Sequence, residues 1–309
     1  MHYRIDFSRI STSYKDHSLV QRSAADLLLN LLEIGESDDV LDLGCGVGNL
    51  TEKIRKMTGG RVVGIDPSEG MIREAVERNR GLDITFEIKG VEELDYEDSF
   101  DVIFCNSVFQ WFRDPQNAIK NCYASLREGG RIGVQAPAKS VYSPNFIEAI
   151  ERVKEDPETE VIFAHFEEPW FFLETAEEYR NLFENCGFRV VLSEIESVKT
   201  EHTPEEVFNI FSSGAAAGYL NQDFYDVEIG ADYVKSFERV VNDAFLRQAD
   251  GRGVVTLIFN RIFLVAVKVC HPVICATASS SPIISCSPVL MSRSVTIPDS
   301  TSCFPMITA

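Results

Sequence analysis

The chain is 309 residues long and carries 29 Lys and Arg against 48 Asp and Glu, a formal net charge of −19 at pH 7. That length can bury one large core or two smaller ones. The acidic balance argues against nucleic acid as a partner, because non-specific affinity for a phosphate backbone comes from Lys and Arg displacing counterions; it also weighs against an acidic carrier protein unless a local basic patch outweighs the long-range repulsion. Residues 1–10 are charged and lack the apolar core of a secretory signal, and no uncharged run is long enough to span a bilayer, so the expected location is cytoplasmic, without membrane insertion. Eight cysteines are scattered with no C-x-x-C pair and no Cys/His cluster, which predicts neither a metal site nor a disulfide framework. Cys45, Cys105, Cys122 and Cys186 lie in the small or apolar settings of buried thiols.

Phe7, Tyr14 and then Leu19, Val20, Ala24, Leu27, Leu28 and Leu31 place a helical cover over residues 1–35. From 38 onward the chain alternates. Strands are predicted near 39–43, 61–65, 83–87, 100–105 and 131–136, with helices near 49–57, 68–78 and 115–127 and Arg127-Glu128-Gly129-Gly130 as the last helix stop. Strands alternating with helices mean a parallel sheet with crossovers, here a core over 36–140. Past 140 the rhythm changes to helices at 145–154, 176–186, 204–211 and 231–248, with Gly187 as a stop and a strand over 188–197. The apolar stretch 253–270 is interrupted at Asn260-Arg261 and Lys268 and is predicted to be a β-hairpin. These segments make up a third region, 141–268. Residues 269–309 are rich in Ser, Thr, Cys and Pro, carry only Arg293 and Asp299 as formal charges and show no periodicity; a disordered or extraneous, dispensable tail is expected there.

The chemistry is concentrated in Val40-Leu41-Asp42-Leu43-Gly44-Cys45-Gly46-Val47-Gly48-Asn49-Leu50, followed by Val62-Val63-Gly64-Ile65-Asp66. Alternating glycines let the backbone turn sharply against a ligand. An acid at the tip of the second strand, roughly twenty residues past the loop, is placed to hydrogen-bond both ribose hydroxyls. A dinucleotide site wants G-x-G-x-x-G and sets a pyrophosphate on the helix N-terminus. Here Asp42 stands beside Gly44-x-Gly46-x-Gly48, and a carboxylate there repels a pyrophosphate but pairs with an ammonium. The predicted ligand therefore has an amino acid end as well as a ribose, and S-adenosylmethionine has both.

These residues resemble motif I and the following acidic position of the class I S-adenosylmethionine-dependent methyltransferases. The resemblance implies a Rossmann-like, mostly parallel seven-stranded sheet with helices on both faces, its last strand pair antiparallel, and cap insertions at 141–175 and 201–250. It puts Asp42 on the methionine ammonium, the backbone of Gly44, Cys45 and Gly46 along the amino acid portion, Asp66 and Pro67 at the ribose, and Met71 beside the adenine, although Met71 reads equally well as core. The family's acid after the third strand is replaced by Gly90 in Lys89-Gly90-Val91-Glu92-Glu93-Leu94, which leaves the adenine contact to the Val91 backbone or to Glu92.

The fourth strand ends in Asn106-Ser107-Val108-Phe109-Gln110-Trp111, which the resemblance places opposite the reacting sulfonium and which is not the D/N-P-P-Y/F sequence of nitrogen methylation on DNA. Gln110 and Trp111, together with Phe7-Ser8-Arg9, Tyr14 and Gln21, are similar to small-molecule carboxyl methyltransferases of the malonyl-thioester and trans-aconitate kinds, over residues 5–138. Tyr14, Asn106, Gln110 and Trp111 are the positioning candidates, with Asn106 also at the cofactor. The implied function is O-methylation of a carboxylate on a small molecule. A carboxylate is already ionised at pH 7 and needs no general base; it does need anchors, for which Arg180, Lys199, Arg239 and Arg261 are candidates. The alternatives are C- or N-methylation of a lipid, quinone or amine metabolite, in which His165 or His202 would serve as base, or a non-catalytic S-adenosylmethionine-binding partner protein. The sequence names neither the acceptor nor the oligomeric state.

Overall fold

The structure, a computed structural model, describes residues 19–269, with side chains from Ala24 onward. Tyr14 and the segments 1–18 and 270–309 lie outside the described residues, as do the side chain of Gln21 and the expected tail. The elements run α1 Leu19–Leu32, β1 Val40–Leu43, α2 Asn49–Arg55, β2 Val62–Asp66, α3 Glu69–Arg78, β3 Thr85–Ile88, β4 Phe100–Asn106, α4 Pro115–Ser125 and β5 Leu126–Pro137. There follow α5 Pro144–Glu155, α6 Glu160–Phe163, α7 Ala176–Glu184, β6 Phe188–His202, α8 Pro204–Ser213, α9 Ala216–Tyr219, α10 Ala231–Gln248 and β7 Val255–Lys268. Short 3-10 turns lie at Val91–Glu93, Phe109–Trp111 and Gln222–Phe224. No helix among the described residues is long and apolar enough to cross a membrane.

One seven-stranded sheet has the order β3-β2-β1-β4-β5-β7-β6. Its first five strands are parallel and β7 runs antiparallel to both β5 and β6. The central strands β1, β2 and β4 are short, largely apolar runs because both faces are covered. On one face Leu41, Ile65, Ile103, Val134 and Leu264 pack with Ile119 of α4 and Phe183 of α7; on the other Val40, Val62, Phe104 and Phe263 meet Leu28 and Leu32 of α1 and Ile54 of α2. The strand order reverses at β1 and β4. Their carboxyl ends diverge there, which is where open α/β sheets bind ligands.

Two expectations are corrected. The stretch 253–270 is not a hairpin: Val255–Lys268 is one uninterrupted strand, paired with β5 through Arg261–Val267 and with β6 along its whole length. Asn260 and Arg261 do not break it, because the Asn260 amide groups donate to the Tyr142 and Val141 carbonyls and the Arg261 guanidinium pairs with Glu196 across the strands. The polar residues are matched sideways, so no turn is needed. The second correction concerns Arg127-Glu128-Gly129-Gly130, which lies within β5 rather than at the end of a helix; α4 stops at Ser125, and the irregularity there is a register shift between Phe100 and Val102.

Beyond Pro137 the β6/β7 pair overhangs the rest of the sheet. The overhanging residues Val255, Leu257 and Phe259 enter a separate cluster with Phe146 and Val153 of α5, Phe211 of α8, Tyr219 of α9 and Phe237, Val241 and Phe245 of α10. This second core is rich in aromatic residues, with ring pairs such as Phe146–Phe211 and Trp170–Tyr219 at 5.1 and 4.7 Å in edge-on contact. Gly218 is required by that packing: a Cβ on it would lie 2.2 Å from Trp170 Cζ2.

Phe109, just past β4, is 1% exposed and touches Phe112, Phe171, Tyr179 and Phe183. Phe109→Ala should destabilise the protein by about 3–5 kcal/mol, the usual cost of a buried aromatic cavity; urea unfolding followed by circular dichroism measures it.

Candidate functional site

Left-handed backbone builds the loop after β1. Gly44, Gly46 and Gly48 have φ of 71, 53 and 76°, values that favour glycine. Gly44 and Cys45 both donate their amides to the Ile65 carbonyl, at 2.8 and 2.9 Å, so the loop is sewn to the end of β2. A Cβ on Gly44 would lie 2.2 Å from Val108 Cγ2, so the loop also touches the segment after β4. At Gly46 the situation differs. A Cβ there would meet nothing within 4 Å, so the glycine is needed for conformation and its ribbon faces open space.

Asp66 holds this arrangement. Its Oδ2 accepts from the Gly46 amide at 3.0 Å and its Oδ1 from the Ser68 amide at 2.9 Å. A carboxylate has about four lone-pair sites, so acceptor capacity remains for a ligand. Burial raises the Asp66 pKa and those two amides oppose the rise. Pro67 is exposed, and Met71 is buried, its amide donating to the Ser68 hydroxyl that caps α3.

Asp42 lies on the face of β1 that carries Val40, toward α2. It is 2% exposed, and its Oδ2 accepts from Thr51 Oγ1 at 2.6 Å. Burial pushes its carboxyl up to about 7, the Thr51 hydrogen bond pulls it down and the charge of Asp66 pushes it up further. Among the described residues neither acid is paired with an arginine or lysine. A buried and a half-buried carboxylate in electrostatic reach, with no basic partner among the described residues, suit a positively charged ligand.

Buried acceptor oxygens point the same way. Among the described residues Asn49 Oδ1, beside the glycine loop, Asn106 Oδ1, at the end of β4, and Gln110 Oε1, just after it, are buried without a hydrogen-bond donor. Buried polar atoms are rarely left so, and an ammonium or hydroxyl of a ligand would supply the missing donors. Ser107 fixes this corner: it has a left-handed φ of 61°, and its amide donates to the Gln135 carbonyl of β5 at 2.7 Å. Gln110 donates its side-chain amide to the Ser107 carbonyl, and its own carbonyl accepts from the Phe171 amide, so the cap segment is tied to the end of β4. Trp111 faces Trp170 at 5.6 Å and Phe224 at 6.4 Å. This set of acceptors matches the chemistry of a ligand with ribose hydroxyls and an ammonium group, as S-adenosylmethionine has.

The structure thus gathers Asp42, Gly44, Cys45, Gly46, Asp66 and Met71 around one loop and sets Asn106, Gln110 and Trp111 on the adjoining strand end. Val91 is buried on the sheet, and its carbonyl and that of Glu92 accept from Asn121. The Glu92 carboxylate is exposed and accepts from the Arg113 amide. The suggested anchors Arg180 and Arg239 are not gathered here: Arg180 joins Glu177 and Glu184 on α7, and Arg239 joins Asp156, Glu158 and Asp243. Lys199 is exposed on β6. Arg261 is buried, pairs with Glu196 and lies opposite Pro137 at the end of β5. His165 pairs with Asp226 and His202 with Thr200 and Glu206. Sequence reasoning missed Thr51 and Ser107; a threonine on the inner face of α2, next to Leu50 and Ile54, was the available signal for the first.

Comparison with known proteins points to one family. The family described as "Methyltransferase domain" matches residues 40–130. Trans-aconitate 2-methyltransferase of Methylobacterium nodulans is 30% identical over 246 residues, 79% of this chain and 92% of that protein. Malonyl-[acyl-carrier protein] O-methyltransferase of Acetivibrio thermocellus is 31% identical over 130 residues, 41% of this chain; the match spans about half of that relative's length, 46%. Among solved structures, the YcgJ protein of Bacillus subtilis shares the fold at 16% identity and a TM-score of 0.53, over 81% of this chain and 100% of that one.

The Asp42 carboxyl yields a pH prediction for the ligand-free protein. Its folded pKa is raised, so the stability it contributes is full below the ordinary carboxylate range near 4 and is lost as pH rises through about 7. Asp42→Asn removes the buried charge and should stabilise the ligand-free protein at pH 8 by on the order of 3 kcal/mol, with little effect at pH 4; urea unfolding at the two pH values checks it.

Proposed function

This chain belongs to the class I S-adenosylmethionine-dependent methyltransferases, and from that membership we propose that it O-methylates a carboxylate of a small-molecule acid. S-adenosylmethionine, the family's cofactor, supplies a methyl group on a sulfonium for in-line displacement. In this reading Asp42 pairs with the ammonium of the cofactor, the Gly44–Gly46 backbone lies along its amino acid portion, and Asp66 accepts from the ribose hydroxyls beside Pro67. Met71 and Val91 border the adenine, with Glu92 at its edge. Asn106 and Gln110, with Trp111 and Tyr14, position the acceptor.

The observation that favours a carboxylate is the placement of the two histidines among the described residues. His165 and His202 both lie on the cap with carboxylate or hydroxyl partners of their own, not at the end of β4. An acceptor already ionised at pH 7 needs no base, so catalysis reduces to alignment and exclusion of water. The acceptors named for the relatives, malonyl and aconitate, are carboxylic acids, which agrees. Arg261 is the candidate anchor, since its register sets it beside the exit of β5.

One feature favours a second reading. Trp111, Trp170 and Phe224 form an aromatic wall, and Glu168 lies near enough to Tyr142 and Tyr219 to act on their hydroxyls. Aromatic faces with an acid suit a cationic amine, so N-methylation is the competing outcome.

Transfer of a tritiated methyl group to a panel of acids and amines separates the two. An ester is expected, released by mild base, with a turnover number at saturating cofactor flat from about pH 7 to 9 and insensitive to replacing His165 or His202; a base-stable product and a rate climbing with pH would favour the amine. Asp66→Ala should weaken S-adenosylhomocysteine by about 2–3 kcal/mol in calorimetry, the loss of a charge-assisted pair of hydrogen bonds.

A further inference from the structure

Thr51 is a buried polar residue close to the glycine loop. It lies in α2, fully buried at 0% exposure, with its hydroxyl directed at a carboxylate that is itself 2% exposed. A hydroxyl in an apolar helix face needs a partner, and this one has an acid nine residues upstream.

Groups from β2, β4, the glycine loop and α2 surround Asp42. From β2 come Gly64, directly opposite, and the Asp66 carboxylate; from β4 come Phe104, opposite, and the Cys105 thiol; the loop contributes the Cys45 thiol; α2 contributes Thr51. Burial raises both thiols well above their ordinary range, so they stay protonated and carry no charge. Asp66 and burial both oppose ionisation of Asp42. Among these groups the Thr51 hydroxyl is what favours the charged form, because a donated hydrogen bond stabilises a carboxylate over its acid. The bond also fixes which oxygen stays available: Oδ2 is engaged by Thr51, which leaves Oδ1 for a ligand.

We propose that Thr51 is a positioning residue whose hydroxyl keeps the Asp42 carboxylate ionised and oriented for the ammonium end of the cofactor. This rests on the reading of Asp42 as the ammonium partner. The glycine loop and Asp66 recognise the nucleoside; the Thr51–Asp42 pair recognises the amino acid end and sets the pH range over which it is recognised.

Two probes separate these parts. S-adenosylhomocysteine carries the amino acid end, whereas 5′-methylthioadenosine has the nucleoside without it. Calorimetric titrations of both, from pH 6 to 8.5, would be run on the wild type, Thr51→Ser, Thr51→Val and Asp42→Asn, with the ligand-free melting temperature of each. For the wild type, affinity for S-adenosylhomocysteine should rise with pH through the Asp42 midpoint while that for methylthioadenosine stays flat. Thr51→Val should weaken S-adenosylhomocysteine about tenfold at pH 7, move the midpoint upward and leave methylthioadenosine unchanged within about twofold; Thr51→Ser should restore the wild-type behaviour. Equal loss of both ligands, or an unmoved midpoint, overturns the proposal. Should Thr51→Val not fold, Thr51→Ala carries the same comparison. Asp42→Asn tests the reading underneath: retained preference for S-adenosylhomocysteine over methylthioadenosine would remove Asp42 from the ammonium, whereas loss of that preference alongside an inert Thr51→Val would leave Asp42 in place and dismiss Thr51 alone.

Discussion

The Asp66 carboxylate is the tie on which the site depends. It receives the amide of Gly46 from one strand end and the amide of Ser68 from its own, so the glycine loop after β1 and the turn into α3 share one anchor. The loop runs left-handed at three glycines, a conformation with a high entropic cost when fixed. Bonds from Gly44 and Cys45 to Ile65 add to that anchor and hold the loop against β2. What results is a short stretch of backbone with open space at Gly46 and two acids close by, set where the strand order reverses.

Electrostatically this corner holds two acids without a basic partner among the described residues, whereas many acids elsewhere have one. Arg127 spans Asp39 and Asp101, Arg131 reaches Asp38, and Arg239 gathers three acids, so many cations of this acidic chain already have carboxylates. Burial raises the pKa values of both Asp42 and Asp66, and the charge of Asp66 raises that of Asp42 further. A cationic ligand bound there would relieve that cost, which would couple binding and folding stability through the same two groups.

The cap adds the second half of the design. Its core is separate from the sheet's two faces and stands on the overhanging ends of β6 and β7. Its link to the loop after β4 is short: the Phe171 amide on the Gln110 carbonyl, and Trp170 against Trp111. Gly218 lets Trp170 take that position. Substitutions within the aromatic cluster can therefore reshape the wall near Trp111 while the glycine loop and Asp66 stay as they are.

The local pattern of the chain determined a great deal. The alternation of apolar runs with amphipathic ones sufficed for the order of strands and helices through β5, for α10 at Ala231–Gln248 and for the stop at Gly187, because backbone period and helix stops are written within a few neighbouring residues. The spacing of Asp42, the three glycines and Asp66 pointed to the ligand class, since a strand-turn-helix of that length brings them together whatever else the fold does. Tertiary structure decided the remainder. Arg261 and Asn260 looked like a strand break until their partners Glu196, Val141 and Tyr142, distant in sequence, were in place. Arg180 and Arg239 had charges suited to an acid, yet helix neighbours and Asp156 took them. Thr51 acquired its meaning only when α2 folded back over β1, because a hydrogen bond between buried groups is a fact of three-dimensional distance and of the dielectric around it, neither of which a linear pattern contains.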